Sequence, residues 1–313
     1  MDGEKLGVAV LAYGREGQHL PLVEALLAEC VPISSLTVVH NPAEPGEPPA
    51  AAPAGCEVIR CERNLGYAGG MNRGIEALLE RGFDLILLLT HDARLRSGAL
   101  AALLEATRRR RDFGVLGPAL VLAGEETPFS FGGITRRSGT NAHIRARPDD
   151  AEGGVISCDW IDGGAMLVRR DVLEGTGGFD ERFWGYFEEA DLCLRVRRSG
   201  ARVGVAVDAV MDQAPGGSRR PGAWSYLLTR NGTEYARRAV GVRGVLGMTL
   251  RTTWNMGYEL MRAGLRWIGL RHGDPGEPWA IAVGAGRGLI DYFRGRWGPP
   301  PSDLPGMGDV QNV

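Results

Sequence analysis

Residues 64–92 read NLGYAGGMNRGIEALLERGFDLILLLTHD. The glycine-rich opening leads into a helix expected near Gly70 to Leu79, and Leu85 to Leu89 is the most apolar strand-like run in the chain. A helix followed by a strand with no polar face is what a parallel sheet covered on both sides demands. Working upstream, Cys56 to Cys61, Leu36 to Val39 and Leu6 to Tyr13 (LGVAVLAY) read as further strands, with a helix over Leu20 to Leu27. The Pro/Ala/Gly-rich stretch Pro42 to Gly55 reads as a surface loop. Strands and helices alternating at this spacing predict an α/β fold, Rossmann-like, with a mostly parallel sheet.

Downstream the alternation fades. Val115 to Val121 is one more strand, Gly124 to Gly154 reads as irregular or hairpin structure, and Trp224 onward is helical, with Leu246, Leu250, Trp254, Leu260 and Trp267 interleaved with arginines. A Pro/Gly-rich tail from Gly298 is expected to be loose.

With 313 residues, 44% hydrophobic and 24% charged, the chain can bury a sizeable core, and a disulfide-held miniprotein is excluded. A net charge of −2 gives no global field for nucleic acid. The clusters Arg108 to Arg111 and Arg219-Arg220 are read as a solvated helix end and a loop. Five cysteines without a C-x-x-C spacing fit a reducing, cytoplasmic setting better than a disulfide framework or zinc knuckle. No signal-peptide core opens the chain, and no run approaches the ~18 apolar residues of a membrane span, so insertion is not expected while peripheral membrane contact stays open.

Three common chemistries lose support at once. The first strand is followed by Tyr13-Gly14-Arg15-Glu16-Gly17, which fails the dinucleotide G-x-G-x-x-G spacing, and neither a Walker A lysine nor a G-x-S-x-G elbow occurs. What remains is a set of five short motifs in order: Val39-His40-Asn41, the Asn64 to Gly74 segment, Thr90-His91-Asp92, Trp160-Ile161-Asp162-Gly163-Gly164-Ala165-Met166, and Glu188-Glu189-Ala190-Asp191. Over about residues 5 to 240 this order resembles glycosyltransferase family 2, especially its rhamnosyltransferase-like branch.

That resemblance implies a GT-A catalytic domain over residues 1–222, split into a nucleotide-binding half (1–122) and an acceptor half (123–222), with a helical C-terminal extension over 223–313. It implies an inverting transferase that moves a deoxyhexose such as rhamnose, or a hexose, from a dTDP- or UDP-sugar to a hydroxyl of a glycan, a lipid-linked sugar or a natural product. Glu189 would be the base. Donor contacts would come from Ala12, Tyr13, His40, Asn41 and Asn64, from Gly69, Gly70 and Asn72, and from His91, Asp92 and Arg230. The acceptor would meet Trp160, Asp162, Gly163, Gly164, Trp184 and Glu188, and Ser218 would lie in the family's small-residue loop. A Mg²⁺ or Mn²⁺ ion would be held by Asp92 and by Asp212, which stands where family members usually carry a histidine. A homodimer stays open.

The chemistry explains the residue types. A departing nucleoside diphosphate gathers negative charge that a carboxylate-held divalent cation neutralises, and inversion needs one base on the face opposite the leaving group. Plainer readings exist for each residue. Asp92 could cap the next helix, although Ser97 is the better cap, and Glu188 and Asp191 could pair with Arg195 and Arg198. His40 and Thr90 replace the acids the family usually carries there. Two rival functions are a non-catalytic nucleotide-sugar-binding module and a sugar-nucleotide nucleotidyltransferase, whose N-terminal L-x-x-G-x-G-T-R-L signature is missing.

Overall fold

The structure is a computed structural model describing residues 3–13, 17–44, 46–48, 50–148, 151–213 and 220–306. It divides into two compact units: residues 1–134, 142–181 and 188–215 form one, and residues 135–141, 182–187 and 216–313 the other.

The first unit is built in chain order from β1 (Leu6–Tyr13), α1 (Leu20–Ala28), β2 (Leu36–Asn41), β3 (Glu57–Arg60), α2 (Gly66–Glu80), β4 (Leu85–Thr90), β5 (Arg94–Leu95), α3 (Ala99–Arg109) and β6 (Phe113–Leu122). Next along the chain come β7 (Pro128–Ser130), the short paired strands β8 (Gly133–Thr135) and β9 (Asn141–His143), of which Thr135 and Asn141 belong to the second unit, then β10 (Val155–Ser157), β11 (Ala165–Arg169), α4 (Arg170–Thr176), α5 (Glu188–Arg198) and β12 (Arg202–Gln213). The main sheet runs β10-β12-β6-β11-β4-β1-β2-β3, with β5 and β7 added on β12 and β6. Strands β4, β1, β2 and β3 are mutually parallel, whereas β11 runs antiparallel between β4 and β6. The six elements expected from Leu6 to Leu89 are all present, each within a few residues of its expected ends.

Helix α2 packs on the sheet at unusually short range. A Cβ at Gly74 would lie 2.8 Å from the Ala9 Cβ and 3.1 Å from a Val39 methyl, and one at Gly70 would lie 2.5 Å from a Leu11 methyl. Two of the glycines in the signature segment are therefore the contact surface between helix and sheet. Helix α3 begins at Ala99 after Gly98 in a left-handed conformation, so Ser97 does not cap it: the glycine turn starts the helix with no side-chain cap. The Arg108 to Arg111 cluster pairs with Glu105, Asp112, Glu152 and Glu4, as a solvated face does; Arg219 lies outside the described residues.

The second unit holds three long helices, α6 (Pro221–Val240), α7 (Val242–Trp267) and α8 (Gly276–Phe293). Small residues bring them together: a Cβ at Gly284 or Gly288 of α8 would meet the Gly222 or Tyr226 carbonyl oxygen of α6 within 2.1 or 2.4 Å. The tail is not loose throughout, because Leu304 is 3% exposed and packs with Tyr226 and Leu227.

Glycine substitutions separate these close approaches from open helix. Gly74→Ala should lower stability by about 1–3 kcal/mol, since the new methyl overpacks a rigid neighbour. Gly257→Ala on α7, where nothing lies within 4 Å of the new Cβ, should raise it by roughly 0.5–1 kcal/mol. Denaturant unfolding of both variants measures the contrast.

Candidate active site

Parallel pairing brings the carboxyl ends of β1, β2 and β4 to one sheet edge, the place where open α/β sheets receive ligands. Ala12 lies opposite His40, Tyr13 opposite Asn41 and Leu11 opposite Thr90. Because β11 starts at that same edge, Gly164 comes in beside Thr90: the Thr90 N–H donates to the Gly164 carbonyl at 3.1 Å, and the His91 N–H to the Leu11 carbonyl at 3.0 Å. Tyr13 and Asp92 are exposed there, and His91 is half-buried with its pKa lowered by burial, against the opposing pull of Asp92. His40 is buried, its pKa likewise lowered by desolvation, with the Glu47 carboxylate 3.9 Å from it.

The signature asparagines fasten the backbone. Asn41 accepts from the Leu65 N–H (2.8 Å) and donates to the Gly66 carbonyl (3.0 Å) and to Asn64 (3.2 Å), while Asn64 also accepts from the Gly66 N–H. Gly66 has φ of 72°, which this turn requires. Asn72 donates to the Phe179 carbonyl and to Glu181 and accepts from the Phe179 N–H, at 2.9–3.0 Å. Gly69 would place a Cβ 2.9 Å from that of Leu65. These residues, read as donor contacts, hold the edge of the cleft in shape through its backbone.

One residue escaped the sequence reading although it lies inside the quoted stretch. Tyr67 donates its hydroxyl to the Gly163 carbonyl at 2.5 Å and packs edge-on against Phe179. Burial pushes its pKa well above the ordinary tyrosine value, with Glu188 and Glu189 adding to the shift. The signal available was a lone aromatic among glycines.

Gly163 joins the strand edge to the acids. A Cβ there would stand 3.2 Å from the Tyr67 hydroxyl and 3.5 Å from the Glu189 Cβ. Glu188 is 5% exposed, one carboxyl oxygen is buried with no hydrogen-bond partner, and its pKa is raised well above the usual carboxylate value, first by burial and then by the charge of Glu189. Glu189 is the more open of the two. The ion-pair ladder weighed from sequence holds only for Asp191, whose carboxylate accepts from Arg195 Nε at 2.8 Å.

On the acceptor-side segment, Asp162 lies 4.0 Å from His143 Nδ1, which also meets Ser130 Oγ at 2.7 Å. Burial raises the pKa of Asp162, while His143 pulls it down. Trp160 is buried, packs edge-on against His143 with centroids 5.0 Å apart, and keeps its indole N–H unpartnered.

In the helical unit, Trp184, Tyr186 and Phe187 adopt φ of 63°, 66° and 72°. Asn231 donates to the carbonyls of Phe183, Gly185 and Tyr186 at 2.7–2.9 Å. Trp184 packs against the cluster of Tyr226, Leu227 and Leu304. Arg230 departs from its expected role. It is fully buried, donates to Asn231, Tyr226 and the Phe183 carbonyl, and stacks over Tyr226 and Trp297, so its guanidinium is an internal fastener.

Asp212, read as a metal ligand, stands in an ion pair. Its Oδ1 accepts from Arg96 Nε at 2.9 Å and Nη2 at 2.7 Å. Among the described residues no group of three or more His, Cys, Asp or Glu side chains is arranged to hold a metal. Ser218 lies outside the described residues.

No family model matches the chain. It is 29% identical over 223 residues, 62% of its length and 71% of the relative's, to N-acetylglucosaminyl-diphospho-decaprenol L-rhamnosyltransferase of Mycobacterium tuberculosis. It is 27% identical over 176 residues, 54% of its length and 56% of the relative's, to the low-salt glycan biosynthesis hexosyltransferase Agl10 of Haloferax volcanii. Among solved structures, GalNAc-T7 with UDP, GalNAc and Mn²⁺ superposes with a TM-score of 0.52 at 11% identity, over 73% of this chain and 49% of that one. No helix among the described residues is long and apolar enough to cross a membrane. Sugar transferases among its relatives, a GT-A sheet and two acids beside the strand edge lead to one conclusion: the chain has the GT-A fold and is similar to glycosyltransferases of the family 2 kind.

Proposed function

We propose that this protein is an inverting glycosyltransferase that takes its sugar from a dTDP- or UDP-linked donor, with a deoxyhexose such as rhamnose the first candidate and a lipid-linked glycan the first acceptor class. The names of its rhamnosyltransferase and hexosyltransferase relatives support this choice. The observation that carries it is the Glu188-Glu189 pair beside Gly163, at the edge where β1, β2, β4 and β11 meet.

The two adjacent carboxyls divide the work. Glu188, buried and without a partner for one oxygen, favours its neutral form, because a desolvated carboxylate next to another charge is costly. The more open Glu189 then takes the proton from the acceptor hydroxyl as that oxygen attacks the anomeric carbon. Tyr67 holds the Gly163 carbonyl and so steadies the segment against which Glu189 sits. Asp162 and Trp160 support the acceptor side, and Tyr13, His40, His91 and Asp92 line the donor side.

A divalent cation fits this site only in part. Asp92 is exposed at a strand end, but Asp212 is taken by Arg96, so the cation would rest on Asp92, the donor's diphosphate and water, an all-oxygen shell suited to Mg²⁺ or Mn²⁺. When bound it supplies charge neutralisation of the departing diphosphate. The rival reading is a nucleotide-sugar-binding module without turnover.

Turnover with a panel of nucleotide sugars decides between them. Glu189→Gln should lower transfer by roughly two to four decades with donor affinity nearly unchanged; normal turnover in the variant removes Glu189 from the role. Asp92→Asn should raise the Mg²⁺ or Mn²⁺ concentration needed for half-maximal rate, while Asp212→Asn should leave it unchanged.

Glu188 makes a pH prediction. Its folded-state pKa lies above the unfolded value of 4.5, so the unfolded chain releases that proton first and stability falls as pH rises from there through the folded value. Glu188→Gln removes the penalty. Its melting temperature should therefore exceed that of the wild type by a margin that grows from pH 5 to pH 8.

A further inference from the structure

The described face of α7 is apolar along its whole length. Val242, Leu246, Leu250 and Trp254 recur every four residues and are 73, 72 or 79% exposed at Val242, Leu250 and Trp254 and 59% at Leu246. Trp267 at the helix end is 83% exposed, and Ile268 and Leu270 beyond it are 68% and 71% exposed. The opposite face carries the buried Gly244, Met248 and Thr252. A patch this long left in water is a binding surface.

Charge indicates what covers it. Val242 to Tyr258 contains no acidic residue, and the single acid of α7, Glu259, is paired with Arg262 at 2.7 Å. Arg243, Arg251 and Arg271 are exposed on or beside the stripe. Were the occupant a second copy of the chain, an isologous contact would lay the stripe on itself, and these arginines would meet no acid. A bilayer with anionic headgroups meets both needs: acyl chains take the leucines, the headgroup zone takes the tryptophan rings, and phosphates take the arginines. At 26 residues the helix is about 39 Å long, yet it does not qualify as a span, so it lies in the interface.

We propose that α7 docks this protein on anionic membrane surfaces through Val242, Leu246, Leu250, Trp254 and Trp267, with Arg243 and Arg251 engaging lipid phosphates. The purpose, access to a lipid-linked acceptor, rests on the function proposed above; the docking does not.

Cosedimentation of the full chain with vesicles of phosphatidylglycerol and phosphatidylcholine tests it, beside vesicles of phosphatidylcholine alone. The mixed vesicles should bind the wild type, with tryptophan fluorescence shifting to the blue and binding weakening with salt. Leu250→Glu with Trp254→Glu should reduce binding at least about ten-fold, with donor turnover on a soluble acceptor unchanged. If that pair fails to fold, Arg243→Glu with Arg251→Glu leaves the apolar stripe intact and should reduce binding to the mixed vesicles alone. Equal binding by wild type and folded variant, equal binding to both vesicle types, or a wild-type dimer that Leu250→Glu with Trp254→Glu dissolves would each overturn the proposal. Loss of transferase activity with vesicle binding intact would count against the enzyme reading only.

Discussion

The distance between α2 and the sheet governs everything built at the strand edge. At Gly70 and Gly74 the helix lies where a Cβ would collide with Leu11 or with the Ala9 Cβ. From that depth its first turn delivers Tyr67 to the Gly163 carbonyl, and its middle delivers Asn72 to both backbone groups of Phe179. A helix carried further out by one methyl per turn would miss both partners, since a hydrogen bond fails within a few tenths of an ångström of its range. Close packing is thus the means by which a glycine-rich sequence, rather than a set of polar ligands, shapes the cleft.

The same depth creates the low-dielectric ground in which the acids act. Tyr67 and Glu188 are both driven toward their neutral forms by burial, and the charges of Glu188 and Glu189 add to the shift of Tyr67. Asp191, one turn on, is held by a direct cation, Arg195. An unpaired buried carboxyl costs stability, and such costs concentrate where chemistry is done. Asp212 illustrates the converse: its half-exposed carboxylate stands beside Arg96 in an ion pair.

Much of the first unit was legible because period and composition agree there. Leu85 to Leu89 admits no reading but a buried strand, and the glycines of 66–74 announce a tight approach, though not whether backbone or ligand approaches. That ambiguity explains why Asn41, Asn64 and Asn72 were read as donor contacts: asparagine beside glycine suits a nucleotide and a backbone clasp equally. The short strands β5, β7, β8, β9 and β10 carry too few residues for a period to show. Asp212 and Arg96 lie 116 positions apart, and no local pattern joins them. Arg230 is read as a donor contact because nothing local announces a buried guanidinium whose partners are mostly main-chain carbonyls and aromatic faces.

The run from Trp184 to Phe187 shows how the chain sustains a local structure its residues disfavour. Three side-chain-bearing residues there hold positive φ, each at a cost of roughly 1–2 kcal/mol. Against this stand three hydrogen bonds from Asn231 and one from Arg230 to Phe183, each worth about 1 kcal/mol net and somewhat more where a charge donates. The two sums are of similar size, so the bonds offset the strain without making the run comfortable. The aromatic packing of Trp184 on Tyr226 and Leu227, and of Phe187 on Tyr235 at 5.5 Å, adds the remainder. Asn231 is suited to this because one amide supplies two donors to three carbonyls that a turn of ordinary φ would point apart. An alanine there would leave those buried carbonyls unpaired as well as the strain unopposed, which is the larger of the two losses.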